Sequence, residues 1–297
     1  MKGNSKKVFS WFIAATIALG VVQGVYTQST YAVQTIDKDY TNHVYKTHIE
    51  YVIKNSLMWM YPDGNFRPDQ AITQADLVVG LANAKGLSSG TPVSNLPANH
   101  WAKVYYDRAK KDGILDNVVI NPGKVLNREE ASFLLVNAWK SLRQVYKLER
   151  QYYSDTAVNS GWIPERSGKF ANGVHTTLYD GLGTLNRGEQ ARVLYILHND
   201  MKDIQAGESI ASQFHASLKV SGGNVRGQIP AVNGYDTKLI IISKTGKPIQ
   251  FNKGASVMFN ASHVDYMEFN VKKAGQAISL AKYDYENMST LARKNVR

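Results

Sequence analysis

The chain has 297 residues, 43% of them hydrophobic, which predicts one or two folded domains with sizeable cores and excludes a disordered chain. It contains no cysteine, so disulfides, thiolate catalysis and Cys-ligated zinc are excluded. The formal net charge is +11, and residues 204–297 hold 12 basic and 6 acidic side chains. This local excess indicates either contact with an acidic polymer or a well-solvated basic surface.

The first segment has the pattern of a secretion signal. Three lysines precede an apolar run over residues 8–22, and small residues stand at Thr30 and Ala32, the two positions that a signal peptidase reads. We predict that residues 1–32 are a removed signal peptide and that the protein is exported. The alternative, a retained membrane anchor, is disfavoured because the apolar run is shorter than the ~20 residues that a membrane span needs.

Three short stretches then share the capping-box pattern that opens a helix. In each stretch an aliphatic residue precedes a Thr or Asn, and an acidic residue follows three positions later. The stretches are 72–76, 126–130 and 185–189, and their caps, Thr73, Asn127 and Asn186, are 54 and 59 residues apart. A period of this size predicts three repeat units that bury their faces on one another, residues 33–86, 87–148 and 149–203.

The first helical position after each cap is occupied in turn by Gln74, Arg128 and Arg187. An arginine at this position conflicts with the positive end of the helix dipole. A bound carboxylate or phosphate would remove the conflict, because it accepts hydrogen bonds from the free backbone N–H groups and from the guanidinium. The pattern therefore predicts anion sites. A salt bridge to a neighbouring repeat is the alternative.

The pattern changes after residue 203. Helical periodicity gives way to Lys238–Ser243, to a Lys-Thr-Gly-Lys turn, and to alternating runs at 257–259, 266–271 and 277–283, which are typical of strands joined by short turns. We predict an α+β protein, in which a mainly α bundle of three repeats is followed by a small all-β sandwich or barrel over residues 204–297.

The three copies resemble S-layer homology domains, the cell-wall-binding modules of bacterial surface proteins. The resemblance rests on a Trp-Ala pair near a repeat start, an Asp-Gly turn with a Phe and a Pro, and a closing helix opened by a pattern like Ile-Thr-Arg-Ala-Glu. It covers roughly residues 37–200. It implies a compact pseudo-threefold bundle whose grooves bind an anionic secondary cell wall polysaccharide that often bears a pyruvate ketal.

The resemblance also implies which residues line those grooves. The implied polysaccharide-binding residues are Arg128, Arg187, Trp101, Trp162, Asn127, Asn186 and Gln74. The first repeat departs from the pattern, because Gln74 replaces the arginine and Val44 falls where a tryptophan is expected. A neutral amide cannot form the bidentate ionic pair, so the site that uses Gln74 is expected to be weakened or lost. The alternative is that Trp101 and Trp162 are core residues, since aromatic side chains dominate buried area.

None of the motifs that could indicate catalysis has the structural context or spacing that the chemistry needs. Gly86-Leu87-Ser88-Ser89-Gly90 matches the Gly-x-Ser-x-Gly pattern of a nucleophile elbow. That motif needs a strand before it and a helix after it, whereas this stretch follows a predicted helix and enters a loop. The seven histidines lack metal-ligand spacing, and capping explains Glu130 and Glu189 without acid or base chemistry.

We therefore predict a non-enzymatic protein without cofactor or metal, located at the wall of a Gram-positive bacterium. Its expected partners are the polysaccharide and, through residues 204–297, other surface proteins, but neither nucleic acid nor, after signal cleavage, a membrane. The alternative is a wall-active enzyme or a surface-lattice protein whose activity lies in residues 204–297.

Overall fold

The computed structural model describes residues 38–143, 152–169, 173, 175–176 and 179–296. From Lys38 onward the chain forms one compact unit. The predicted signal peptide, residues 1–32, lies outside the described residues. Among the described helices, none is both long and apolar enough to cross a membrane.

The first part of the described chain is helical, and short helices alternate with longer ones. Each predicted cap precedes one of the longer helices, so the three predicted helix starts are confirmed. The helices are α1 (Lys46–Lys54), α2 (Gln74–Ala84), α3 (Lys103–Asp112), α4 (Arg128–Arg143), α5 (Tyr152–Asn159) and α6 (Arg187–Ser217). A two-residue ribbon, β1 (Gly168–Lys169) with β2 (His175–Thr176), lies between α5 and α6.

The short helices α1, α3 and α5 end in the same way. Within two residues of each helix end one residue has a positive φ, and the residue after it is apolar, buried and bonded back to the helix, as in a Schellman-type C-cap. The positive-φ residues are Ser56, Gly113 and Gly161, and the buried residues that follow them are Leu57, Ile114 and Trp162. Their N–H groups donate to the carbonyl oxygens of Val52, Ala109 and Ala157. These residues therefore occupy matching positions in the three segments.

A closed ring of three backbone hydrogen bonds joins the longer helices at their starts. The N–H of Ile72 donates to Leu185 O at 3.0 Å, that of Leu185 to Leu126 O at 3.3 Å, and that of Leu126 to Ile72 O at 3.1 Å. All three side chains are buried. Each is the aliphatic residue before a helix cap, so the feature that recurs in the sequence is the one that brings the three segments together.

The strands after α6 form two antiparallel sheets. A three-stranded sheet has the order β3-β4-β7, and a five-stranded sheet has the order β10-β9-β8-β5-β6. The strands are β3 (Lys219–Ser221), β4 (Asn224–Gln228), β5 (Tyr235–Ser243), β6 (Pro248–Asn252), β7 (Ser256–Asn260), β8 (Val264–Lys273), β9 (Ser279–Asn287) and β10 (Ala292–Asn295). Both sheets contribute side chains to one hydrophobic core.

Helix α6 is shared by the helical part and the strands. The predicted boundary between residues 203 and 204 lies inside this 31-residue helix. Ile204 belongs to the first core, whereas Ile210 and Phe214 belong to the second, where Phe214 stacks on Phe269 with ring centroids 4.0 Å apart. The part after residue 203 is therefore not all-β, because its core includes the second half of a helix that starts among the repeats.

Candidate functional site

The first-turn N–H groups of the three longer helices already have partners. In every case the acceptors are two carbonyl oxygens from a loop of another segment. Gln74 and Ala75 donate to Lys124 and Pro122, Arg128 and Glu129 donate to Gly183 and Gly181, and Arg187 and Gly188 donate to Gln70 and Pro68, at distances between 2.8 and 3.2 Å. The prediction that these N–H groups are free to bind an anion is wrong. Carbonyl oxygens supply the partial negative charge that the helix dipole favours.

Arg128 makes internal contacts as well. Its side chain is 0% exposed, its Nη1 donates to Glu189 Oε1 at 3.1 Å, and its Nη2 donates to the carbonyl oxygen of Pro164. Its guanidinium lies 5.6 Å from the centre of the Tyr179 ring. Burial lowers the pKa of Arg128, and the charge of Glu189 opposes that shift. The alternative of a salt bridge to a neighbouring repeat is what the structure contains.

Arg187 is also buried, but its partners are backbone carbonyls. Its Nε donates to Phe66 O and its Nη2 to Trp59 O, both at 2.7 Å. Its guanidinium lies 4.8 Å from the ring centre of Tyr61 and 4.6 Å from that of Phe66. Burial lowers the pKa of Arg187. Like Arg128, this side chain ties the start of one helix to a loop of another segment.

Gln74 plays the same structural part as the two arginines. It is buried, and its Nε2 donates to Val119 O at 2.9 Å, as Arg128 donates to Pro164 O and Arg187 to Trp59 O. Its Oε1 accepts hydrogen bonds from Tyr106 Oη at 3.0 Å and from the N–H of Asn121 at 2.8 Å. The amide therefore uses both its donor and its acceptor. Both ends of the Gln74 amide are therefore satisfied inside the protein.

Asn127 and Asn186 act as helix caps. Their Oδ1 atoms accept hydrogen bonds from the N–H groups of Glu130 and Glu189, each at 2.8 Å. The glutamates return the contact to the N–H groups of Asn127 and Asn186, at 3.4 and 3.2 Å. The capping boxes that the sequence predicts are therefore confirmed. Their side-chain oxygens serve the helices.

The two tryptophans lie in different environments. Trp101 stands before α3, is 61% exposed and lies beside the His100 ring, with centroids 6.0 Å apart. Trp162 is 1% exposed and stacks on Trp139 at 4.1 Å. Trp162 follows α5 at the position that Ile114 occupies after α3, so it is a core residue and not the tryptophan of a repeat start. Comparing Gly161-Trp162-Ile163 with Gly113-Ile114-Leu115 would have revealed this.

A cleft of about 430 Å³ opens where the first two segments meet the start of α5. Of the predicted residues, only Gln74 lines it, and its amide forms part of the wall. The other lining residues are Asp116, Asn117, Val118, Val119, Asn121, Lys124, Leu126, Glu130, Phe133, Leu134 and Tyr153. Sequence reasoning missed these residues. One available signal was Val118-Val119-Ile120, an aliphatic run within a loop, since Val119 is 85% exposed.

Exposed ion pairs lie near each of the three buried side chains at the helix starts. Arg67 donates to Asp63 at 2.8 Å and lies over the Tyr61 ring, which Arg187 also contacts. Hydrogen bonding from Arg67 lowers the pKa of Asp63 to about 2. Arg166 pairs with Asp180 at 3.0 Å, and Lys124 pairs with Glu130. Cations are therefore present at this surface, but they are not the ones that the sequence predicted.

Metal binding has no support in the part of the chain that the structure describes, where no group of three His, Cys, Asp or Glu side chains is arranged to hold an ion.

Comparison with known families identifies part of the helical region. Residues 37–78 match the S-layer homology domain, so the match includes α1, the Thr73 cap and the first turn of α2. No curated protein matches the chain. Such domains generally bind cell wall polysaccharides. The match thus indicates a surface or wall-associated protein that is anchored by non-covalent binding.

Proposed function

We propose that this protein attaches itself to the wall of a Gram-positive bacterium by binding an anionic, pyruvylated secondary cell wall polysaccharide through three S-layer homology repeats. The observation that carries the proposal is the match of residues 37–78 to that domain. Residues 87–148 and 149–203 are the second and third repeats in this proposal. The exported protein then displays the strands after α6 at the cell surface, without a catalytic role for them.

Geometry supports extending the repeat to the second and third segments. All three segments have a short helix with the same C-terminal cap, a capping box, and an aliphatic residue in the hydrogen-bonded ring of Ile72, Leu126 and Leu185. In all three, the side chain at the first helical position donates to a loop carbonyl of the next segment. This cyclic pattern is what a pseudo-threefold bundle of equivalent repeats requires.

The cations that meet the polysaccharide in this proposal are exposed ones. Arg67 and Arg166 each pair with a carboxylate at the surface, and exposed ion pairs contribute only about 0–1 kcal/mol to stability. Exchanging such a partner for a carboxylate of the ligand costs little. Removing Glu189 from the buried Arg128 would cost far more, because a buried charge would lose its partner.

The test is a pull-down with purified wall sacculi. We expect the protein to pellet with intact walls and to stay in solution when the polysaccharide or its ketal has been removed. The variant Arg67→Asn/Arg166→Gln should lose most of the pelleting, whereas the charge-matched control Lys244→Ala/Lys247→Ala, on an exposed turn, should keep it. Asn is chosen at residue 67 because the backbone there has φ of 58°. Equal pelleting with stripped walls would contradict the proposal.

A further inference from the structure

The cleft beside Gln74 has the size and the walls of a sugar subsite. Its volume of about 430 Å³ lies within the range of small-ligand sites, which is roughly 300–1,000 Å³. Phe133 and Tyr153 lie side by side on one wall with ring centroids 4.8 Å apart, and Val119 stands exposed at the rim. Apolar walls of this kind suit the C–H faces of a sugar ring.

The polar groups of the cleft are suited to an amide. Asn117 and Asn121 are exposed lining residues, and a primary amide offers both donors and acceptors. Asn117 is held in the left-handed region, with φ of 58°. An acetamido group of a sugar has one donor, one acceptor and a methyl group, which match the asparagine rim and the neighbouring valines.

The charged side chains that line the cleft disfavour an acidic ligand. Its lining holds two carboxylates, Asp116 and Glu130, and one ammonium, Lys124, which gives a formal charge of −1. Lys124 is already paired with Glu130. Gln74 replaces the guanidinium, and the first two N–H groups of α2 are bonded to Lys124 O and Pro122 O. A carboxylate that entered would lose its water beside two like charges and gain no unpaired cation of the lining in return.

We infer that this cleft binds an uncharged, N-acetylated sugar unit and not the acidic unit of the polymer. The inference rests on the proposed function, since it assigns one subsite of the wall polysaccharide. In this arrangement the acidic unit lies at the exposed arginines, and the cleft recognises a neutral neighbour by its acetamido group. Binding in the cleft is then insensitive to salt, whereas wall binding as a whole weakens with salt.

Isothermal titration calorimetry of the full chain with three sugars tests this assignment. N-acetylglucosamine is the neutral probe, glucose lacks the acetamido group, and N-acetylmuramic acid adds a carboxylate to the same ring. We expect the dissociation constant of glucose to be at least about fivefold higher, and that of N-acetylmuramic acid at least about tenfold higher, than that of N-acetylglucosamine. Equal or tighter binding of the acid, or no heat with any of the three sugars, would overturn the inference.

Two exposed valines give a matched pair of variants for the same titration. Val119→Asp places a charge at the rim of the cleft and should weaken the binding of N-acetylglucosamine at least about tenfold. Val44→Asp makes the same change at an 81% exposed position that does not line the cleft, and should leave the binding unchanged. Asn117→Gly removes the amide but keeps the left-handed backbone, and should also weaken binding. Unchanged binding in both cleft variants would overturn the assignment.

A wall pull-down run in parallel separates this inference from the proposed function. If the protein pellets with intact walls but does not bind N-acetylglucosamine, the cleft assignment is wrong and the anchoring proposal stands. If it binds N-acetylglucosamine in the cleft but pellets equally with stripped walls, the assignment stands and the anchoring proposal is wrong.

Discussion

The guanidinium of Arg128 and the carboxylate of Glu189 form a buried ion pair, 3.1 Å apart, between the second and third helical segments. Glu189 serves two purposes at once. Its Oε1 accepts from Arg128, and its Oε2 accepts from the N–H of Asn186 to complete the capping box of α6. One carboxylate therefore fixes the start of its own helix and holds the start of α4 beside it.

Removing Arg128 should destabilise the fold and not merely weaken ligand binding. Arg128→Ala leaves Glu189 buried without its ionic partner and removes a donor from Pro164 O. We expect a loss of about 3–5 kcal/mol in the free energy of unfolding, measured by urea denaturation.

The matched control is Arg166→Gln, which breaks an exposed pair with Asp180 and should cost less than about 1 kcal/mol. If Arg128→Ala kept wild-type stability and lost only wall binding, Arg128 would be a ligand residue, as the sequence alone suggested.

Replacing Gln74 by arginine should also destabilise the protein, although the resemblance to the repeat pattern suggests that it restores a consensus. An arginine has no acceptor, so the buried Oη of Tyr106 and the N–H of Asn121 would both lose their partner. We expect a loss of at least about 2 kcal/mol in urea denaturation, since each buried group left unsatisfied costs about 1–3 kcal/mol.

Gln250→Arg, at an exposed position in β6, serves as the control for Gln74→Arg and should change stability little. A Gln74→Arg variant of wild-type stability with stronger wall binding would mean that the site is a degraded anion receptor after all.

The sequence predicted where the three longer helices begin, because a capping box is a local pattern. It also revealed a conflict at Arg128 and Arg187, namely a cation at the positive end of a helix. What it did not reveal was the solution, since an external anion and an internal carbonyl or carboxylate satisfy the same local requirement. The choice depends on burial, which is set by the packing of segments more than a hundred residues apart, such as Phe66 with Arg187.

The length of α6 was missed for a different reason. A change in composition near residue 204 suggested a domain boundary, yet Ile204, Ile210 and Phe214 continue the apolar stripe of the same helix into the second core. The cleft was missed because its walls come from α2, α4, α5 and a loop. The sequence does not indicate which loop side chains these helices face.

Acid should weaken the fold through partly buried histidines that are neutral in the folded protein. Burial, and then the charge of Arg192, lowers the pKa of His48 below its ordinary value of 6.5, and burial with Lys202 does the same to His198. The unfolded chain therefore binds protons first as the pH falls. The stability that the neutral imidazoles contribute is complete above about pH 6.5 and is lost as the pH falls through the lower values of the folded state.

His48→Phe should make stability less sensitive to acid. His48 packs edge-on against Tyr195 with ring centroids 5.0 Å apart, and its buried Nδ1 has no hydrogen-bond partner. A phenyl ring keeps the packing and cannot take up a proton. Urea midpoints between about pH 7 and pH 5 should fall less in this variant than in the wild type, and the exposed control His263→Gln should follow the wild type.

The comparison between variants matters because burial raises the pKa of Asp112, whose contribution to stability changes with pH in the opposite direction. Identical pH profiles for His48→Phe and the wild type would show that His48 is not a source of the acid sensitivity.

A substitution at Gly207, where α6 packs against β9, should destabilise the helical part as well as the strands. A Cβ atom on Gly207 would lie 2.6 Å from the Cβ of Leu280 in β9, so Gly207→Val forces α6 and β9 apart. Leu280 belongs to the first hydrophobic core together with Ile204, so this displacement disturbs both parts of the protein. We expect a loss of about 1–3 kcal/mol, which is typical of overpacking.

The four tryptophans after residue 32 all lie between residues 59 and 162, so their fluorescence reports on the chain before α6 and not on the strands. In Gly207→Val, the urea midpoint should fall equally by tryptophan fluorescence and by far-ultraviolet circular dichroism, in a single transition. Gln205→Val, at an exposed position of the same helix, should lower it only by the small cost of a β-branched residue. An unchanged fluorescence midpoint beside a shifted dichroism midpoint would show that the two parts unfold independently, and that α6 links them without coupling their stabilities.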